Sequence, residues 1–467
     1  MAWRCPVPTT LTSKRRHALT RWIAVLGERF PAFSAPQIKG LAAWSIGIVL
    51  AKAASLHAVV LALVCWLHFN PLNLYKRLQE WYLEAAAKKG HGSAGTGYQR
   101  RDWDPRLASA DLLRWILEGW PSRQLVLALD PTNFGDRFTV LNISVLYRGC
   151  AVPVIWTVVA GGQTEAWEPH WERMLSTLAS SIPAGWQVLV LTDRGMYSPS
   201  LYRCLVRQHW HPFLRIRAQG FYRPAGSQKW LNLEDLQPPK DQLQAWPGAV
   251  FKNEEGRLAC TLVAYHGEGY AEPWLIVTDL APEVAQASWY GLRGWIEQGY
   301  KRVKGEGWKL PRTRISDPKR LERLWLAVAV ATLWVLEVGG EAEVEEQHQK
   351  QRRASAKVAG EDTPALPNLN PQGPTPAEPE TPKEADEPAS VGAAKRIWSV
   401  FARGWNVLRN ALPVGILLLG SWHPEVWPGQ PTAELPATPQ TRSASTERAP
   451  PSVGSGSASN AHACDSS

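Results

Sequence analysis

Tyr290, Arg293, Glu297 and Lys304 stand in the stretch WYGLRGWIEQGYKRVKGEGW, residues 289–308. Wound as a helix at about 100° per residue, the four side chains fall in a sector roughly 60° wide. Leu292, Ile296 and Val303 form a neighbouring apolar stripe, the spacing expected where a helix packs along a core. Two readings are open at this point. The face is either a solvated surface with an ordinary Arg293–Glu297 pair at four-residue spacing, or a carboxylate set among cations where it can do chemistry. Two further acids pose the same choice. Asp130 closes LVLALD and Asp193 closes VLVLTD. An ionised carboxylate beside a core is costly unless paired or metal-bound, and strand ends of α/β sheets are where sites form. Against this, Asp130-Pro131 and Asp193-Arg194-Gly195 are also good turn chemistry. Asp136, Asp279 and Glu306 read as turn or capping acids.

The elements that must position these groups follow from the pattern. RQLVLALDPTNFGDRFTVLNISVLYRGCAVPVIWTVVAGG holds three β-rich runs broken at NFGDR and YRGCA, which predicts an antiparallel meander. EPHWERMLSTLASSIPAGW is a helix, and QVLVLTDRGMYSPS opens with an apolar run typical of a strand covered on both faces. SPSLYRCLVRQHW gives another helix capped by Ser198 or Ser200, and PFLRIRAQ another strand. The sum is a mixed α/β sheet flanked by helices. The connection from about residue 220 to 285 is too long for a plain loop and carries the β-like runs GAVFKN, RLACTLVAYH and PWLIVTD.

Around this core, 467 residues leave room for further domains and tails. The net charge of +9 favours a polyanionic partner, nucleic acid first. The six cysteines are scattered, without a Cys-x-x-Cys pair, which argues against a zinc site or disulfide framework. The basic start SKRRHALTRW is not followed by a short apolar run and cleavage site, so a cytoplasmic protein is expected. Residues 42–67 are apolar enough to suggest a membrane anchor, the competing reading from another class. Their one formal charge, Lys52, would cost about 2.5–3.5 kcal/mol at mid-span, so two or three buried helices are expected instead. After Gly340 the chain turns polar, charged and proline-rich, the composition of disorder. The amphipathic island AAKRIWSVFARGWNVLRNALPVGILLLGSWHPEVWP is expected to dock on the body.

Three strands, helix, strand, with acids on the first and fourth strands and a third on a later helix, is the order of the RNase H-like fold. Together with Tyr290, two residues, Arg293, three residues, Glu297, six residues, Lys304, the chain resembles the DDE transposases of bacterial insertion sequences that carry this signature. The resemblance covers roughly residues 37–340 and is strongest over 270–336. It implies an RNase H-like catalytic core with a β-rich insertion before the last catalytic helix, an N-terminal helical domain and a disordered C-terminal tail. The expected boundaries are an N-terminal helical, DNA-contacting domain at 1–115, the core at 116–220 and 286–340, and the insertion at 221–285. A disordered linker at 341–395, the amphipathic segment at 396–427 and a disordered tail at 428–467 follow.

By the same resemblance Asp130, Asp193 and Glu297 are the catalytic acids and the ligands of two Mg2+ ions, for which Mn2+ could substitute. Tyr290, Arg293 and Lys304 would contact DNA, with Lys301 and Arg194 as secondary phosphate contacts. From Trp289 to Arg323 ten Lys and Arg stand against four Asp and Glu, a surplus of six, in keeping with a DNA channel. Trp230 and Trp274 of the insertion could stack on an unpaired base, but with 25 tryptophans in the chain packing is the simpler role for both. The implied partners are double-stranded DNA, as element terminal repeats and as target, and a second copy in a synaptic homodimer, with no membrane. A relative of the same fold that binds DNA without moving it is the alternative.

Overall fold

The computed structural model describes residues 9–88, 102–162, 166–236, 238–268, 270–358 and 398–428. The chain opens with helices α1 (Thr9–Arg29), α2 (Ala35–Ala51), α3 (Leu56–Leu67) and α4 (Pro71–Tyr82), and α5 (Ser109–Glu118) leads into the sheet. Residues 42–67 do not form one rod. Lys52 takes a left-handed φ of 48° at the end of α2, and α3 leaves at 91°. Among the described residues no single helix is long and apolar enough to cross a membrane, and Trp44, Ile46, Val49 and Leu63 are wholly buried within the protein.

β1 (Gln124–Phe134), β2 (Phe138–Tyr147) and β3 (Cys150–Ala160) form the expected antiparallel meander. Its second turn is a two-residue Arg148-Gly149 link with positive φ at both positions, 47° and 78°, the geometry that matches strand twist. Helix α6 (Glu168–Ala179) carries the chain to β4 (Gln187–Thr192), parallel to β1, and α7 (Pro199–Arg207) to β5 (His211–Ile216), parallel to β4. Ser198 is the residue that caps α7, accepting the amide of Leu201.

The segment expected as a β-rich insertion follows, and its strands join the main sheet. β6 (Phe221–Pro224), β7 (Leu231–Asn232), β8 (Leu243–Val250), β9 (Leu258–Tyr265) and β10 (Trp274–Thr278) extend the same sheet. The order is β3-β2-β1-β4-β5-β10-β9-β8-β6-β7, because β10 pairs antiparallel with β5. Ladder pairing with β10 satisfies the backbone groups that β5 would otherwise leave open.

A short 3-10 helix (Ala287–Arg293) and α8 (Gly294–Lys304) precede α9 (Pro318–Val358), and α10 (Val400–Ala411) is the last α-helix among the described residues. α9 corrects the sequence reading, since residues 341–358, expected to be disordered, are helical. That stretch is rich in Glu, Gln, Lys, Arg and Ala, strong helix formers in their own right. The rest of the expected linker, 359–395, lies outside the described residues, as does the expected tail beyond Pro428. From Leu324 to Leu336 α9 is buried on every face. Trp334 stacks on Trp22 with ring centroids 4.3 Å apart. The helix also covers the β3 edge, where Glu322 accepts Trp156 Nε1 through its carbonyl and the amide of Val158 through its carboxylate.

One buried acid in α9 gives a pH test. Burial pushes the Glu337 carboxyl from 4.5 up to about 7, and the residue is only 6% exposed. Between those values the folded chain holds a proton that the unfolded chain has released, so this group's contribution to stability falls as pH rises. Glu337→Gln removes that slope. In urea melts the variant should gain on wild type by about 1–3 kcal/mol between pH 5 and pH 8; an unchanged difference would remove Glu337 from the pH dependence.

Candidate active site

β1 and β4 place two acids side by side. In their parallel register Leu129 lies opposite Thr192, so the next residues, Asp130 and Asp193, stand at one level on strands about 4.8 Å apart. Asp130 does not end its strand as the sequence suggested; β1 runs on to Phe134. Because β4 stops at Thr192, residues 130–134 have no strand partner on that side among the described residues, which is where a proline such as Pro131 is tolerated.

The third acid arrives on α8, which lies close against the meander. A Cβ on Gly299 would sit 2.9 Å from that of Ala151 in β3, so glycine permits the approach. Glu297 occupies the first turn of α8, where the helix dipole favours negative charge. One turn later Tyr300 donates its hydroxyl to the carbonyl of Asp130 at 2.7 Å. Tyr300 thus ties helix to strand at the acid itself, a role the sequence reading missed; its only signal there is a spacing of three from Glu297.

Arg293 sits among the three acids. Its Nη2 is 3.2 Å from Asp130 Oδ1 and 3.7 Å from Asp193 Oδ2, and its Nη1 is 2.6 Å from Glu297 Oε1. Asp130 and Arg293 are 14% and 15% exposed, against 38% for Asp193 and 27% for Glu297. Burial pushes the Asp130 carboxyl up to about 6, with Arg293 pulling it back down. For Arg293 burial acts to lower the pKa, but the Tyr290 hydroxyl and the three carboxylates outweigh it and hold the guanidinium firmly charged.

One expected DNA contact, Tyr290, takes another place in the structure. Residues 289–308 are not one α-helix: the 3-10 stretch ends at Arg293 and α8 begins at Gly294. Tyr290 therefore leaves the shared face. It is 4% exposed, donates its hydroxyl to the carbonyl of Thr192 at 3.2 Å, and packs edge-on against Trp274. Its part is to brace the end of β4 beside Asp193. Arg194, exposed, is held by Glu272 at 2.7 Å and lines a neighbouring groove with Arg215 and Arg217.

Lys301 and Lys304 do border the acids. They line an open cleft of about 810 Å3 together with Asp130, Glu297, Gln298 and Arg302. Lys301 is exposed, and Lys304 lies with its Nζ 5.3 Å from the Phe134 ring centre. Glu306, at the cleft rim, pairs with Arg302 at 3.2 Å. Trp274 is a core residue, and the half-buried Trp230 is flanked by the guanidinium groups of Arg223 and Arg257.

As donors, three carboxylates from three elements within reach of one cation fit a hard divalent ion, which prefers oxygen ligands. In the arrangement seen, that cation is the guanidinium of Arg293, and among the described residues no group of three acidic, His or Cys side chains is set to hold a metal as it stands. The donor chemistry fits; the spacing is the one Arg293 imposes.

Residues 123–334 match the family model of the Transposase DDE domain, and Asp130, Asp193, Arg293 and Glu297 all fall inside the match. That stretch carries the three acids on a large mixed sheet flanked by helices, and what it is similar to is the DDE domain of transposases. No curated protein matches the chain. Among solved structures, a cryo-EM structure of a piggyBac transposase synaptic complex with hairpin DNA is similar over 70% of this chain and 72% of that one, at 12% identity and a TM-score of 0.34, a likeness too loose to bear on function.

Proposed function

We propose that this protein is a transposase that cuts DNA at the ends of a mobile element and transfers the freed 3′-hydroxyl into target DNA, on an RNase H-like core. The observation that carries this reading is the meeting of Asp130, Asp193 and Glu297 around one cation, inside the matched transposase domain. Asp130, Asp193 and Glu297 would hold Mg2+, or Mn2+ in its place. When bound, such ions supply Lewis-acid stabilisation of the attacking and leaving oxygens of an in-line displacement. The chain's own cations do the positioning. Lys301 and Lys304, on the cleft wall beside Glu297, hold the phosphates next to the scissile bond as point charges. Water attacks first and frees a 3′-hydroxyl; that hydroxyl then attacks a target phosphodiester in the same cleft, so no covalent link to protein is needed. Two element ends require two such sites, hence a homodimer on double-stranded DNA, in the nucleoid of a bacterial cytoplasm.

The test uses the full chain and a labelled duplex carrying the DNA that flanks its own coding sequence. Cutting to a 3′-hydroxyl end in Mg2+ but not in EDTA, followed by joining to a plasmid, is the expected result. Binding without metal-dependent cutting would leave the alternative, a DNA-binding relative that no longer moves DNA. A companion prediction concerns the cleft wall. Lys301→Ala with Lys304→Ala should weaken duplex binding alike on all sequences, and the slope of log affinity against log salt should become shallower by about one per lysine. An unchanged slope in a salt titration would take the phosphates out of this cleft.

A further inference from the structure

Arg293 is placed where a phosphate contact would not be expected. It points inward, touches all three acids, and leaves its Nε buried without a hydrogen-bond partner. A planar fork is the side chain that can serve this geometry, since Nη2 reaches both aspartates while Nη1 reaches Glu297. Without it, three carboxylates would share a half-buried site with no cation in contact with all three, an arrangement that buried acids tolerate poorly. Yet the same guanidinium excludes a metal. Magnesium needs oxygen ligands at about 2.0–2.1 Å in a near-octahedral set, and the acids cannot close to that distance around a point that Arg293 already bridges.

We infer that Arg293 is the counter-ion of the acid triad in the metal-free protein, and that it exchanges partners: as metal takes the carboxylates, the guanidinium is released to a phosphate of the DNA. This rests on the reading of the triad as a metal site. It makes Arg293 a positioning residue with two occupancies. One keeps the empty site assembled; the other places a positive charge on the strand only after the site is loaded. DNA and metal then favour each other, because a phosphate offers Arg293 an alternative to the acids.

The experiment is Mn2+ binding to the DNA-free full chain, read by electron paramagnetic resonance, together with thermal melting in EDTA and in Mn2+. Arg293→Gln is expected to bind Mn2+ at least tenfold more tightly than wild type. It should melt several degrees lower than wild type in EDTA, with Mn2+ restoring the loss. Arg293→Lys, which keeps the charge but not the fork, should lie between them, near threefold tighter. If Arg293→Gln folds in Mn2+ but not in EDTA, the counter-ion role is supported directly. If it folds in neither, Arg293→Lys decides, and an affinity equal to wild type overturns the inference. Equal or weaker Mn2+ binding by a folded Arg293→Gln likewise overturns it.

Asp130→Asn separates this from the underlying reading. Should Asp130→Asn lose Mn2+ while Arg293→Gln matches wild type, the metal site stands and the exchange of partners falls. If Asp130→Asn binds Mn2+ as well as wild type does, the ions lie elsewhere and both readings fall together.

Discussion

Glu297→Gln should lower strand cleavage by about 10³ or more while duplex binding stays within about twofold of wild type. The substitution keeps the shape of the side chain and the oxygen that meets Arg293 Nη1 at 2.6 Å, so α8 has no reason to move. What it removes is one of three negative charges around the site. In the proposed function the phosphates are held by Lys301 and Lys304, which the variant leaves in place. Gel-shift titration and single-turnover cleavage in Mg2+, run on the same duplex, check both halves. Were the variant to cut at the wild-type rate, the third acid would have to be another residue. Glu306 would be next, though at 85% side-chain exposure and paired with Arg302 it lacks the neighbours that Glu297 has.

The second large effect is on the fold. Gly404→Val should destabilise the protein by about 3 kcal/mol or more, at the upper end of what overpacking costs. α9 and α10 cross with backbone against backbone: a Cβ on Gly404 would run into the carbonyl of Val335, and one on Gly339 into the carbonyl of Val400. A carbonyl at a helix crossing cannot turn aside as a flexible side chain can, so α10 must lift off. The segment behind it is tied to the body by hydrogen bonds that would be strained in turn. Trp334 Nε1 donates to Leu418 at 2.8 Å, Trp66 Nε1 to Leu412 at 2.8 Å, and Trp289 Nε1 to Pro428 at 2.9 Å. Urea melts give the stability, and limited proteolysis should show cleavage within residues 398–428 ahead of the sheet. A variant with wild-type melting and the same protease resistance would mean that the crossing relaxes.

Much of the route to the site could be read along the chain. The meander, the helix between its third strand and β4, the turns at Gly135 and Gly149 and the Ser198 cap all depend on residues close in sequence, so local rules suffice for them. The three acids were singled out by local features too: each aspartate ends an apolar run, and Glu297 lies between cations at helical spacing.

Other features depend on residues far apart. Asp130 and Asp193 meet because β1 and β4 are parallel in one particular register, and nothing in either strand names its partner or its register. The regular spacing over residues 289–308 predicts one continuous helix. Burying Trp289 and Tyr290 against Phe213, Trp274 and the end of β4 favours a 3-10 stretch there, and tertiary packing outweighs periodicity. The segment 221–285 reads as β-rich by itself, but whether it forms its own sheet or extends the first is decided by the pairing of β10 with β5. Composition misled at 341–358 for the opposite reason, since charged residues unsuited to a core are well suited to the exposed end of a helix whose first half is anchored.

The sequence alone determined which residue types stand where: three acids, their neighbouring cations and the strands and helices that carry them. Tertiary structure decided that Tyr290 turns inward, that Tyr300 fastens α8 to Asp130, and that one arginine is shared by all three acids. Side-chain chemistry is local, whereas charge compensation is settled only when distant elements are brought within a few ångströms.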